Sequence, residues 1–309
     1  MKGAATRVYL TGADGMLGRA LTAALAADRA TAAWQVTGVS VQDFDIADAA
    51  AVRSSIAGTR PHIVVHAAAN AIVDECEADP ALAMRVNVTG TRHVTEAARE
   101  HGSRLVYLSS DYVFDGGHPP AGGYREDDVP GPVNVYGLSK LAGERIAATA
   151  PDHLAIRTSW LFGGPDERTD NLLALVRRAR RGEPTELIAD QYSRPTYTVH
   201  LARAIVHVLT RARAVTGPLH ITNAGSASWY QMGQIALDRM RALGGVPRTS
   251  PSPIPVRLRD TGLRAARPRD SSLNTGRLDA LGIRMPRWQD AVRDCCAALA
   301  GDLSRAGRS

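Results

Sequence analysis

Apolar and polar positions along this chain spell strand, turn and helix several times over. Residues 7–12 form a short apolar run that ends in Thr11-Gly12-Ala13-Asp14-Gly15-Met16-Leu17-Gly18, and residues 17–27 then repeat at helical spacing. A second strand is predicted over 35–40, and Asp48 stands where a helix running through Ile56 needs its N-cap. Residues 61–69 (PHIVVHAAA) are apolar almost throughout, the pattern of a strand buried on both faces of a parallel sheet. Helices are predicted over 87–101 and 135–148, and strands over 104–110 and 154–160. Strands alternating with helices predict an α/β fold, a Rossmann-type doubly wound parallel sheet.

The pattern changes after Phe162, where Gly and Pro become denser. Helices over 172–181, 199–211 and 229–243, a strand over 218–222, a Pro/Arg-rich stretch over 246–269 and a last helix over 288–299 predict a smaller C-terminal domain capping the carboxyl ends of the strands. The expected division is 1–165 with 197–224 for the sheet domain, 166–196 with 225–300 for the smaller one, and a flexible tail over 301–309.

Composition removes several classes. The 309 residues, 44% hydrophobic and 22% charged, suffice for a large core. No window approaches the run of about 18 apolar residues of a membrane span, and the first ten residues lack the apolar run of a signal peptide, so a cytoplasmic protein is expected. Cys76, Cys295 and Cys296 are too few for a disulfide framework and are expected to be small buried hydrophobes. The net charge of +6 is spread over scattered arginines, which suits a solvated helix face or a basic substrate pocket better than nucleic acid. Only Lys2 and Lys140 are lysines among 37 basic residues, so an interior lysine stands out.

Three features carry chemistry. A glycine turn between the first strand and helix, here Gly12-x-x-Gly15-x-x-Gly18, presents backbone N–H groups and a positive helix end to a pyrophosphate. Tyr136 and Lys140 are four apart on a predicted helix and share a face, where the ammonium is expected to lower the phenol's pKa for proton transfer. Ser109-Ser110-Asp111-Tyr112 ends the strand before that helix, and a hydroxyl there can bond a substrate carbonyl. At the end of the second strand, Val39-Ser40 shows neither the acid that selects NAD nor a neighbouring arginine for a 2′-phosphate, which permits NADPH.

The sequence resembles the extended short-chain dehydrogenase/reductase superfamily and, within it, the dTDP-4-dehydrorhamnose reductases. The resemblance rests on residues 11–18, 61–69, Val73-Asp74-Glu75-Cys76-Glu77, 109–116 (SSDYVFDG), 134–140 (NVYGLSK), 157–160 (RTSW), 190–196 (DQYSRPT) and 272–275 (SLNT). It implies reduction of the C4 ketone of a dTDP-4-keto-6-deoxyhexose by NADPH or NADH, NADPH slightly favoured. Ser110, Tyr136 and Lys140 are the implied catalytic triad, with serine where the family usually has threonine. Gly12, Asp14, Gly15, Met16, Leu17, Gly18, Ser40, Asp45, Ile46, Ala67, Ala68 and Ala69 are expected to hold the cofactor together with Tyr136 and Lys140. Asp45 serves equally well as a helix-entry residue. Asp111, Tyr112, Trp160 and Arg267 are candidate substrate contacts, against a turn role for Asp111, a core role for Trp160 and a surface role for Arg267. Related dehydratases usually carry glutamate where this chain has Tyr112, and a phenol cannot replace that carboxyl in eliminating water.

No metal is expected. Gram-negative members are associated with a magnesium-linked dimer built from glutamates, and no matching carboxylate cluster stands here. His62 and His66 lie four apart on an extended strand, too far to share an ion. The expected partner is the nucleoside-diphosphate sugar, with neither nucleic acid nor membrane, in a monomer or homodimer. Two alternatives stand beside this reading. One is a 4-ketoreductase for a natural-product deoxysugar with the other C4 stereochemistry. The second is a non-catalytic regulatory subunit resembling the beta subunit of methionine adenosyltransferase.

Overall fold

The computed structural model describes residues 5–306. From the N-terminus the elements are β1 (Arg7–Thr11), α1 (Met16–Ala27), β2 (Gln35–Val39), α2 (Ala49–Thr59), β3 (Ile63–His66), α3 (Val73–Ala78), α4 (Pro80–Met84), a π-helical turn (Arg85–Gly90) and α5 (Thr91–Glu100). There follow β4 (Arg104–Ser110), α6 (Val135–Ala147), β5 (His153–Thr158), β6 (Leu161–Phe162), α7 (Asn171–Arg180), β7 (Glu186–Ile188), β8 (Thr196–Tyr197), α8 (Thr198–Arg211) and β9 (Gly217–His220). The last elements are α9 (Trp229–Ala242), β10 (Ile254–Val256), α10 (Gly276–Ala280) and α11 (Trp288–Ala306).

Six strands pair in parallel in the order β2-β1-β3-β4-β5-β9. Alternation along β1 sends Val8 and Leu10 to one face and Tyr9 to the other, and both faces are covered. On the first face, Leu17, Leu21 and Leu25 of α1 and Leu201, Ile205 and Leu209 of α8 pack with Val65, Val106 and Ile156. On the second, Val52 and Ile56 of α2 and Val94 and Ala98 of α5 pack with Val64, Leu105 and Tyr107. Burial on both sides explains why the strands read as unbroken apolar runs. The strand order reverses between β1 and β3, so a crevice opens beyond their carboxyl ends, where ligands bind in sheets of this kind.

A second apolar cluster is built from α7, α9 and α11, with Leu172, Val176, Met232, Met240, Val292 and Cys296 around Phe162 and Tyr197. The pairs β6–β8 and β7–β10 lie outside the main sheet. All three cysteines are free and buried.

Asp48 caps α2 as expected, accepting from the amides of Ala50 and Ala51. Helices α3 and α4, of six and five residues, are too short to show a period and are held by local caps such as Asp79 ahead of Pro80. The last helix continues to Ala306 rather than stopping at 299, because Leu303 follows Leu299 by one turn and both pack on the second cluster. The tail expected over 301–309 is therefore helical as far as 306, and Lys2 and residues 307–309 lie outside the described residues.

Two glycines give opposite predictions. A Cβ on Gly18 would fall 2.1 Å from the carbonyl oxygen of Gly12, whereas one on Gly58, inside α2, would meet nothing within 4 Å. Urea unfolding of Gly18→Ala is expected to show a loss of about 1–3 kcal/mol. Gly58→Ala is expected to gain roughly 0.5–1 kcal/mol from helix propensity alone.

Candidate active site

The glycine turn leaves β1 through Gly12, whose φ of 69° belongs to the left-handed region. A Cβ there would strike the backbone of Ala68 at 2.8 Å, so the turn and the segment after β3 touch backbone to backbone. Thr11 fastens the same contact, its Oγ1 accepting from the Ala68 amide at 3.2 Å and its carbonyl from the Ala67 amide at 3.3 Å. Gly15 is the N-cap of α1 and brings no side chain to it, and no acid occupies the helix's first turn. A helix start so arranged suits an anion. Met16 packs against Gly164, in the turn after β6. The side chain of Leu17 lies in the core, which leaves only its backbone for a ligand. The carbonyl of Asp14 accepts from Arg19 Nε at 2.7 Å.

Ser110 ends β4, and Tyr136 and Lys140 project from one face of α6. Asn134 caps that helix by accepting from the Gly137 amide at 2.7 Å, while its own amide reaches the Ala266 carbonyl at 2.7 Å. Gly137 lets the helix approach: a Cβ there would lie 2.1 Å from the Tyr112 carbonyl oxygen. The nearby Ser110 hydroxyl acts to lower the phenol's pKa, but burial, the larger influence, raises it, and Asp111 adds to the rise. The phenol's pKa is raised on balance, where the four-residue spacing to Lys140 predicts a lowering, and Lys140 lies one turn further along the same face of α6. Its Nζ stands 4.4 Å from the centre of the Tyr107 ring, and burial pulls its pKa down to about 7 against the opposing pull of Glu144.

Glu144 was not singled out from sequence, although it stands four residues beyond Lys140 on the same face of α6. Its carboxylate accepts from Arg157 Nη2 at 2.6 Å, from Arg157 Nε at 3.1 Å and from Ser109 Oγ at 2.8 Å. Both charges are buried. One carboxylate thus joins the helix carrying Tyr136 and Lys140 to β5 and to the residue before Ser110. The sequence signal is an acid at the third position of a four-residue spacing whose first two positions are Tyr136 and Lys140.

Of the candidate substrate contacts, Asp111 is already engaged. Hydroxyls of Ser110, Ser193 and Ser271 all donate to it, the last two from distant segments, and burial lifts its pKa to about 6 despite them. The Tyr112 hydroxyl accepts from Gln191 Nε2 at 3.3 Å, and burial pushes its pKa up to about 12, which bars it further from a glutamate's work. Arg267 is paired with Asp74 at 2.7 Å, and the Ala265 amide also donates to Asp74, so this guanidinium clasps the 265–267 segment onto α3. Trp160 has a φ of 41°, a left-handed conformation that costs a bulky residue roughly 1–3 kcal/mol. Its indole is buried and stacks on Trp229 with centroids 4.2 Å apart.

Beyond β2 the structure corrects one expectation. Neither Val39 nor Ser40 is an acid, but Asp43 folds back so that its carboxylate accepts from the Ser40 amide at 2.8 Å and the Ser40 hydroxyl at 3.2 Å. An acid therefore does stand at the end of the second strand. The Ala47 amide, donating at 2.9 Å, and then the paired Arg85 hold the Asp45 carboxyl below the usual range, and Ile46 packs against Gly90. His66 sits between Thr11 and Thr91 at 2.7 and 3.0 Å, held neutral by burial, and His62 accepts from the Arg7 amide at 2.9 Å.

Asp111 yields a pH test. Its carboxyl is harder to ionise in the folded chain than at its ordinary value of 3.8, so folding stability falls as pH rises from about 4 through about 6 and is flat beyond. Asp111→Asn lacks this titration. Chemical denaturation across that window is expected to show the variant gaining stability relative to wild type as pH rises.

The geometry agrees with what the chain is similar to. The profile of the family described as the RmlD substrate binding domain matches residues 6–300. A dTDP-4-dehydrorhamnose reductase of Streptomyces griseus is 42% identical over 98% of this chain and 96% of its own length. A probable dTDP-4,6-dihydroxy-2-methyloxan-3-one 4-ketoreductase of Streptomyces antibioticus is 37% identical over 91% of this chain and 97% of its own. Among solved structures, a dTDP-4-dehydrorhamnose reductase of Bacillus anthracis in complex with NADP superposes with a TM-score of 0.83 at 30% identity, covering 94% of this chain and 98% of that one. The family model spans residues 6–300 and the relatives cover more than nine-tenths of the chain, and the chain belongs to the RmlD family of dTDP-4-dehydrorhamnose reductases.

Proposed function

We propose that this enzyme reduces the C4 ketone of a dTDP-4-keto-6-deoxyhexose with NADPH or NADH. The observation that carries the reading is the convergence of Ser110, Tyr136 and Lys140 at the carboxyl end of β4 in a chain of this family. The cofactor fits: Gly12 and Gly18 leave no room for a Cβ, Gly15 keeps the start of α1 bare, and Ala67–Ala69 line the crevice at the point where strand order reverses. When bound, the nicotinamide supplies the hydride.

The protein's own groups handle the oxygen. Ser110 holds the substrate carbonyl by its hydroxyl, and Tyr136 gives its proton to the alkoxide as charge develops there. Burial keeps the phenol protonated but makes the proton harder to give up, and the Ser110 hydroxyl opposes that effect as the phenolate forms. Lys140, compact and buried over Tyr107, offers its ammonium to the nicotinamide ribose and to the forming phenolate. Nothing in the position of Tyr112 supports water elimination. Residues 1–165 with 197–224 then hold the cofactor, and 166–196 with 225–300 hold the sugar nucleotide. No helix among the described residues is long and apolar enough to cross a membrane, and a cytoplasmic setting follows from the proposed cofactor.

The finer choice of cofactor turns on Asp43. A carboxylate held at Ser40 can accept from a ribose 2′-hydroxyl and oppose a 2′-phosphate, so Asp43 weighs toward NADH against the NADPH that the residues at Val39 and Ser40 permit.

Three variants test these roles in an assay of cofactor oxidation on a freshly made dTDP-4-keto-6-deoxyhexose. Tyr136→Phe is expected to lose about 10²–10⁴-fold in kcat. Lys140→Arg keeps the charge and is expected to lose most activity, since a planar fork cannot occupy the buried place above Tyr107; full activity in either variant contradicts the assigned roles. Asp43→Ser is expected to shift the ratio of kcat/KM for NADPH over NADH upward by about tenfold, a change of about 1.4 kcal/mol. An unmoved ratio removes Asp43 from cofactor choice.

A further inference from the structure

One buried ion pair takes no part in the proton and hydride steps. Glu144 is 5% exposed and Arg157 2%. Arg157 meets the carboxylate with two nitrogens, Nη2 and Nε, and its Nη1 donates to the Glu126 carbonyl at 3.3 Å. Beyond it, His220 Nδ1 faces the Asn274 carbonyl at 3.1 Å and so carries the ring proton, which leaves Nε2 to accept from Arg157 Nη1 at 3.4 Å. Burial, and after it the Arg157 charge, hold that imidazole neutral, with its pKa down at about 3. The guanidinium is therefore fixed on both sides, by Glu144 of α6 and by groups beyond β5.

Glu144 follows Gly143, where a Cβ would lie 2.3 Å from the Tyr107 hydroxyl, so α6 lies hard against β4 at the turn that carries the carboxylate. Four-residue spacing puts Tyr136, Lys140 and Glu144 in one row along the helix, and a slide or rotation of α6 moves all three together. Apolar packing tolerates small slides of a helix on a sheet, whereas a two-pronged charged bond at 2.6 and 3.1 Å does not. Stability gives little reason to keep the pair. Taking both charges out of water costs about as much as their attraction returns, and apolar side chains of similar volume are often neutral or stabilising in such places.

We infer that Glu144 and Arg157 are a positioning pair for the reduction: they fix α6 on β4 and β5 so that the Tyr136 hydroxyl meets the oxygen of the ketone that Ser110 holds. This rests on the reductase reading above. Neither residue needs to touch the substrate or the cofactor. The same placement sets the charge near Tyr136. Around Lys140 stand Tyr107 of β4, His66 of β3, Cys76 of α3, and Tyr136 and Glu144 of α6. Burial keeps His66 neutral, pushes the Cys76 thiol up to about 11 and holds both phenols protonated, so Glu144 is the anion of this group at neutral pH. Arg157 faces Glu144 from β5. Lys140 gives up its ammonium as pH rises, and Glu144 opposes that loss, so removing the carboxylate brings it to lower pH.

The test compares wild type, Glu144→Gln and the double variant Glu144→Leu/Arg157→Met in thermal unfolding and in the keto-sugar assay across pH. The double variant, which leaves no charge unpaired, is expected to unfold cooperatively well above the assay temperature. Its kcat is expected to fall by about 10–10²-fold with KM for the keto sugar within about threefold of wild type. Glu144→Gln is expected to lose kcat and also to move the alkaline limb of kcat/KM to lower pH, whereas a residue that only supports the fold lowers the rate equally at every pH. A folded double variant with the kcat of wild type overturns the inference. So does a double variant that no longer unfolds cooperatively, which makes the pair an element of folding, and so does an unmoved limb in folded Glu144→Gln. Where Glu144→Gln does not fold, the double variant decides alone. Wild type without turnover of any 4-keto sugar nucleotide overturns the reductase reading, and the inference with it.

Discussion

The buried carboxylate of Glu144 is the joint on which the site depends. A charge out of water is tolerable only with near-complete pairing, and Glu144 obtains it from Arg157 on β5 and Ser109 on β4 at once. Those bonds fix the distance and rotation of α6 relative to two sheet strands, so Tyr136 and Lys140 cannot drift from Ser110. Arg157 extends the joint further, reaching the Glu126 carbonyl at 3.3 Å and lying over the Phe114 ring at 5.1 Å. The same carboxylate supports the Lys140 charge that burial works against, which makes one residue both brace and counter-charge.

Around that joint the second cluster is arranged to reach the site without entering the sheet. The serine hydroxyls that converge on Asp111 come from β4, from the segment before β8 and from the segment before α10, and bind three stretches of chain at one buried carboxyl. Arg267 and Asp74 make a similar clasp nearer the surface. These ties couple the residues after Phe162 to the proposed catalytic groups, all of which precede them.

Much of this was legible in the sequence because it obeys local rules. The glycine turn, the both-face-buried strands, the Asp48 cap and the four-residue spacing of Tyr136 and Lys140 each follow from a short window. What stayed hidden depends on folding back. Asp43 reaches Ser40 only through a turn, so the acid at the end of β2 is invisible to a reading that stops at Val39. Arg267 looked like a free cation for a diphosphate because its partner Asp74 lies nearly two hundred residues away in sequence. The effect of Lys140 on Tyr136 was inferred from shared helical face alone, whereas the ammonium is drawn over Tyr107 and burial dominates the phenol. The stacking of Trp160 on Trp229, with its left-handed backbone, has no sequence signature at all.

The central claim is that this joint holds a proton donor and a carbonyl anchor for reduction of a ketone at sugar C4. It is tested most directly by turning over dTDP-4-keto-6-deoxyhexose with NADH carrying deuterium at nicotinamide C4 and reading the product by NMR. Hydride delivery to the carbonyl carbon places the deuterium on C4 of the sugar and converts that position to a carbinol. Cofactor left unoxidised with the ketone intact, or deuterium found at any other sugar carbon, contradicts the account.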